Sequence, residues 1–317
     1  MSPSSPKLTI IGDVGVDVIL GPINDWPEIG TETITEKHEL RPGGSACNTA
    51  LALNYVGGEY TLLSLVGNNH FGKWLSSHFA NTNSYFSECN QPTTMSVCLT
   101  HSCSERTIFT TKGHLEHMEY EHAVARLAPA QSDKDIVLLT GVFLTPKLRT
   151  TYIQLLKHLH DLGYQVALDT GWPTGGWNAE VRREVLEWLP YINHLLVNKI
   201  EAFNLADTQD ISAAMDMIHE CMPEGATLVV KLGSEGSMGR QNGNTVTAKA
   251  QPVEVQDSIG AGDSFNAGYL HARILGLDLY TSLETGCNLA STVISRSPRG
   301  DIRDGELAVL AETKITA

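Results

Sequence analysis

Two stretches of this chain combine acids, amides and glycines at spacings that suit a phosphate and a hydroxyl. The first is Asp257-Ser258-Ile259-Gly260-Ala261-Gly262-Asp263-Ser264-Phe265-Asn266-Ala267-Gly268. Small residues run directly into a helix-compatible segment. A helix start of that kind presents unpaired N–H groups and the positive end of its dipole. Gly260, Ala261 and Gly262 thus form a candidate anion hole. Asp263 falls in the first turn, beside whatever anion is held. A carboxylate there can accept a proton from a hydroxyl attacking phosphorus. A first-turn acid also complements the dipole without doing chemistry, so Asp263 alone leaves both readings open.

The second stretch is Arg41-Pro42-Gly43-Gly44-Ser45-Ala46-Cys47-Asn48-Thr49-Ala50. The glycine pair allows the backbone to approach a ligand closely. Asn48, one turn into the following helix, offers a donor and an acceptor, as a polyol requires. The plainer reading is a turn capped by Ser45, with Asn48 facing solvent.

These residues need a frame. Short apolar runs at 7–11, 61–66, 136–139, 165–168, 195–197 and 227–230 do not alternate, which suits strands covered on both faces. Several end on a polar residue or glycine: Asp13, Gly141, Asp169, Asn198 and Gly233. Helical patterns lie between them. The clearest runs from 146 to 162, with Thr145 as cap, Pro146 at its first position and Gly163 at its end. The alternation predicts an α/β fold, a doubly wound and mostly parallel sheet flanked by helices, with ligands beyond the C-terminal strand ends. Residues 18–42 and 95–111 break the rhythm with β character and a polar turn near His101–Glu105, and predict a small β lid. One domain over residues 1–317 carrying that lid is the expected organisation.

Composition narrows the partners. A formal net charge of -14 opposes binding to nucleic acid or to an anionic membrane surface. No apolar run reaches the roughly 20 residues that span a bilayer, and Met1–Pro6 lacks the apolar core of a signal peptide. The six cysteines include no C-x-x-C pair, so reduced thiols and a cytoplasmic location are expected. Among the twelve histidines, His114, His117 and His122 near the lid lack zinc-like spacing. Trp172 and Trp177 read as packing residues.

Together the two stretches resemble the signatures of the ribokinase-like (PfkB) family of carbohydrate and nucleoside kinases, and the resemblance runs from about Leu8 to about Gly300. It implies an ATP-dependent transfer of a phosphoryl group to a hydroxyl of a small sugar-like acceptor. Asp263 matches the catalytic base, and the N–H groups of Gly260, Ala261 and Gly262 match the anion hole. Asp17 matches the acid that grips acceptor hydroxyls, with Asp13 facing the same region. Gly43, Gly44 and Asn48 match the acceptor-contacting turn. Asn198 and Glu201 match an N-x-x-E element near the phosphates and Mg2+, with Glu201 acting through water. Lys231, Gly233 and Gly236 match the nucleotide turn, and Asn288 a position along the adenine pocket. Asp257 and the carbonyl of Ile259 match a site for a monovalent cation, K+, in some relatives. A homodimer paired through the lid is also implied.

Other classes fit less well. No G-x-G-x-x-G follows the first strand and no G-x-x-x-x-G-K-[ST] occurs, so the dinucleotide and P-loop patterns are missing. Ser264 has only His271 after it, seven residues on, a poor partner for a hydrolase. A non-catalytic sugar or nucleotide sensor on the same fold is the rival outside enzymes, and a nucleoside kinase the rival within them.

Overall fold

A computed structural model describes residues 7–103 and 106–296. Met1–Pro6, Glu105 of the polar turn and the far end of the resemblance at Gly300 lie outside the described residues. The strands are β1 (Leu8–Ile11), β2 (Gly15–Ile23), β3 (Lys37–Gly43), β4 (Tyr60–Gly67), β5 (Tyr85–Cys89), β6 (Met95–His101), β7 (Arg106–Thr110), β8 (Ile136–Leu139), β9 (Gln165–Leu168), β10 (His194–Asn198), β11 (Thr227–Lys231), β12 (Ser237–Gln241) and β13 (Asn244–Ala248). The helices are α1 (Ser45–Asn54), α2 (His70–Ser77), α3 (Tyr120–Val124), α4 (Pro146–Arg149), α5 (Tyr152–Asp161), α6 (Ala179–Trp188), α7 (Lys199–Ala206), α8 (Ile211–Glu220), α9 (Ala261–Ile274) and α10 (Leu279–Ile294).

Among the described residues, nine strands form one sheet in the order β13-β12-β11-β10-β9-β8-β1-β4-β5. Pairing is parallel from β11 to β5, and antiparallel only in the β11–β12–β13 edge. The expected doubly wound α/β sheet is therefore present. Its apolar runs alternate between two cores. Ile11, Leu63 and Leu139 pack with α4, α5, α6, α7 and α8 on one face. Ile10, Leu62 and Leu138 pack with α1, α2, α9 and α10 on the other. Burial on both faces is why the strands read as unbroken apolar runs.

The expected helix over 146–162 is two helices, α4 and α5. Pro146 does occupy the first position, but Thr145 does not cap with its side chain, which turns back to Val142 O. At the break, Thr150 and Thr151 send their hydroxyls back to the carbonyls of Lys147 and Leu148. Such back-bonding competes with the helix ladder. Gly163 ends α5, as read from the sequence, with φ +85.

The remaining strands form a second sheet, ordered β3-β2-β6-β7, from the two segments that break the α/β rhythm. Asp17 stands opposite Arg41 and Ser96, and Ser96 opposite Thr110. Directly opposed residues share a face. This polar face turns toward the large sheet, because Arg41 and Arg106 reach Asp257 and Ser258. The other face carries the row Leu40, Val18, Val97 and Phe109 across all four strands.

Candidate active site

Several chain segments converge beyond the C-terminal strand ends. The turn after β3 delivers Gly43 and Gly44 and starts α1. Asp17 on β2 lies against that turn, and a Cβ built on Gly43 would fall 2.1 Å from its carboxyl carbon. Only glycine leaves room for that carboxylate. Gly44, not Ser45, is the N-cap of α1. The first N–H groups of α1 are taken by Asp13, whose oxygens accept from Ser45 at 3.0 Å and Ala46 at 3.2 Å. Asp13 is thus tied to the helix start. Burial, against these hydrogen bonds, raises its carboxyl above the ordinary range.

Asn48 does not face solvent. Its Nδ2 donates to Asp263 Oδ2 at 2.9 Å, from α1 to the first turn of α9. Burial, followed by the charge of Asp169, pushes Asp263 up to about 7, while Asn48 and Lys231 pull the other way. Cys47 is buried among the acids, and burial, then Asp17, Asp13 and Asp263, lifts its thiol well above the usual value. All three carboxylates thus act on that one thiol.

Gly260 caps α9 with φ +74, a conformation glycine adopts freely. The N–H of Ala261 turns back to Ser258 O at 3.3 Å. The N–H groups of Gly262 and Asp263 are first-turn donors that helix geometry leaves without an intrahelical acceptor. Of the candidate donors Gly260–Gly262, Ala261 is thus engaged within the turn, and Asp263 joins Gly262 as a candidate. Lys231 stands beside it, its Nζ 3.5 Å from where a Cβ on Gly262 would be.

Lys231 is held by a residue that sequence reading did not assign. Asp169, at the end of β9, accepts from Lys231 Nζ at 2.8 Å and from Asn266 Nδ2 on α9. Lys231 also reaches Asn266 Oδ1 at 3.3 Å. Burial works against the ammonium, but Asp169, Glu201 and Asp263 outweigh it and hold Lys231 above its ordinary value. The available signal was an acid directly after a buried apolar strand, with Asn266 three residues beyond Asp263.

Asn198 and Glu201 form a capping box. Glu201 N donates to Asn198 Oδ1 at 2.9 Å, and Asn198 N to Glu201 Oε2 at 2.8 Å. Burial, then Asp169, raises Glu201 to about 7. The N-x-x-E spacing is also the spacing of that box.

Lys231, Gly233 and Gly236 line a cleft of about 500 Å³ with Gly262, Phe265 and Ala290. Asn198 and Glu201 do not line it. Asn288 itself does not either, though Cys287 and Ser291 beside it do, and its Oδ1 is buried without a protein partner. Val255 and Ser258 separate this cleft from a cavity of about 790 Å³ beneath the small sheet. Asp257 is engaged by Arg41 at 2.6 Å.

The histidines and tryptophans also find their places. His114 is buried with both ring nitrogens used, by Thr94 N and Val14 O, and burial lowers it to about 4. Trp177 packs edge-on against Phe143, whereas Trp172 is 56% exposed and is no packing residue. Among the described residues no cluster of His, Cys, Asp or Glu could hold a metal ion, and no helix is long and apolar enough to cross a membrane.

A buried acid, an amide that holds it, a free helix start and a lysine thus share one crevice between two sheets. The model of the pfkB family carbohydrate kinase matches residues 6–301. The chain belongs to that family of kinases. It is 25% identical over 310 residues to a nucleoside kinase of Methanocaldococcus jannaschii, covering 93% of this chain and 92% of the relative. It is 26% identical over 279 residues to a ribokinase of Haemophilus influenzae, covering 84% and 85%. Its fold is that of the Arabidopsis thaliana ribokinase solved with ribose and ATP, at a TM-score of 0.75 and 21% identity, covering 96% of this chain and 99% of that one.

Proposed function

We propose that this family member transfers the γ-phosphoryl group of ATP to a hydroxyl of a small, neutral, sugar-like acceptor. The observation that carries this reading is Asp263, tied to Asn48 on the acceptor side and standing in the first turn of α9 on the phosphate side. The acceptor lies by Asp17, Gly43, Gly44 and Asn48, beneath the small sheet acting as a lid. The acceptor hydroxyl gives its proton to Asp263 while its oxygen forms a bond to the γ-phosphorus. The bond from that phosphorus to the bridging oxygen breaks, and ADP leaves. The N–H groups of Gly262 and Asp263 and the Lys231 ammonium face the charge that develops on the phosphoryl oxygens. Asp17, Asp13 and Asp263 on the acceptor side disfavour an acceptor that is itself anionic.

The nucleotide base and ribose fit the cleft lined by Gly233, Gly236, Phe265 and Ala290. Glu201, whose Oε1 lies outside the capping box, would hold a nucleotide-bound magnesium ion through water, and that ion would supply neutralisation of phosphate charge.

The outer face of the lid supports a homodimer as part of this reading. The row Leu40, Val18, Val97 and Phe109 faces away from the site, with Leu40 at 49% and Phe109 at 51% exposure. A second copy of the same row, related by a two-fold axis, covers it. The six cysteines are free thiols, which suits a reducing cytoplasm.

A screen for ADP release over pentoses, ketohexoses, 2-keto-3-deoxy acids and nucleosides tests the reading. A response to neutral sugars is expected. A response to nucleosides alone replaces the sugar by a nucleoside, and no response to any acceptor favours a binding protein.

A further inference from the structure

The wall between the two cavities, at Val255 and Ser258, is held by an arginine from the small sheet. Arg41 Nη1 meets Asp257 Oδ2 at 2.6 Å, with side chains 9% and 19% exposed. Asp257 Oδ1 accepts the N–H of Ile259 at 2.9 Å, and Asp257 N donates to Ile294 O at 3.2 Å. Gly260, three residues after Asp257, sets the direction of α9. Fixing Asp257 therefore fixes the approach to the donors of Gly262 and Asp263. Arg41 also precedes Gly43 by two residues on β3, so one side chain joins the acceptor turn to the anion-hole loop.

The family resemblance places a monovalent cation at Asp257 and the carbonyl of Ile259. The residues here do not fit one. Both carboxylate oxygens have partners, and the negative charge of Asp257 is already met by the Arg41 guanidinium. The Nε and Nη2 groups of Arg41 are buried without a protein partner. The place beside Asp257 thus already holds a positive charge and surplus donors. A second positive charge beside that guanidinium would be repelled.

We propose that Arg41 is the built-in cation of this protein: it occupies the place of a monovalent metal at Asp257 and holds the anion-hole loop without one. The inference rests on the kinase reading for its role in turnover, but its test needs no acceptor. Affinity for magnesium-ADP is measured by calorimetry in tetramethylammonium chloride and in KCl or NaCl of equal ionic strength. Thermal unfolding in the same salts, without nucleotide, gives a second readout, since a metal bound to the native state raises the transition. The wild-type dissociation constants should agree within about threefold, a difference well under one tenfold step, and the unfolding transitions should coincide. A larger tightening, or a specific rise of the transition, in K+ or Na+ overturns the proposal.

Arg41→Met should bind magnesium-ADP more weakly in tetramethylammonium and recover in KCl, while Arg41→Lys stays indifferent to the salt. A folded Arg41→Met that ignores K+ and Na+ also overturns it. Should that variant not fold, the wild-type comparison decides. Absence of ADP binding in every salt counts against the kinase reading, and the unfolding transitions then decide on Arg41 alone.

Discussion

Asn48 Nδ2 lies 2.9 Å from Asp263 Oδ2, joining two residues 215 positions apart in the chain. The contact brings the turn at Gly43–Asn48 and the first turn of α9 to one point. It also opposes burial and Asp169, which together lift Asp263 to about 7. A base must be unprotonated to act, so kcat/KM should rise tenfold per pH unit below about 7 and level off above it. Asn48→Ala removes a hydrogen bond to a charged group, worth about 1.5–3 kcal/mol. The acidic limb should then move up by about one to two pH units, at about 1.4 kcal/mol per unit. An unmoved limb in the variant separates Asn48 from the base.

Stability should carry the same signature. In the unfolded chain Asp263 titrates near about 3.9, and in the fold near 7. Between these values the native state binds more protons. The stability from its protonated form is complete below about pH 4 and is lost as pH rises through about 7. Asp263→Asn has no such loss. Its melting temperature should gain on the wild type between pH 5 and pH 8, by a few degrees at about 2–4 °C per kcal/mol. A constant difference across that range contradicts the raised value.

Lys231 and Asp169 form a buried pair 2.8 Å apart. Lys231→Met leaves Asp169 uncompensated and should cost about 3–5 kcal/mol of stability. The double variant Lys231→Met with Asp169→Asn removes both charges and should recover most of that loss in a denaturant titration. Nucleotide affinity and turnover should stay low in both, because the ammonium beside Gly262 is gone. Recovery of turnover in the double variant shows that Lys231 serves the fold alone.

Leu40→Glu combined with Phe109→Glu places charges on the outer row of the lid. Light scattering at micromolar concentration should show a dimer for the wild type and a monomer for the variant, with circular dichroism unchanged. A monomeric wild type removes the dimer.

Much of this is legible in the sequence. The apolar runs ending at Asp13, Asp169 and Asn198 are strands because both faces are covered, and Asp13 and Asp169 both act on Asp263. Asp263 and Asn48 were each legible from glycines nearby, but not their contact, since no local pattern spans α1 and α9. Asp169 was seen as a strand end and given no role, because its partners Lys231 and Asn266 arrive from other elements. The Arg41–Asp257 pair was hidden for the same reason. The strand β5 and the β12–β13 edge were missed because their burial is partial and they lack the continuous apolar runs of the central strands. The break at Thr150–Thr151 escaped because hydroxyl back-bonding leaves the apolar stripe intact.

The most direct measurement is turnover of Asp263→Asn with an acceptor found by the screen, beside its affinity for magnesium-ADP. Asparagine keeps the shape and the Asn48 neighbour but cannot take a proton. Turnover should fall by about 10²–10⁴, the usual contribution of a general base, with ADP affinity nearly unchanged. Turnover within a few fold of the wild type contradicts Asp263 as the base.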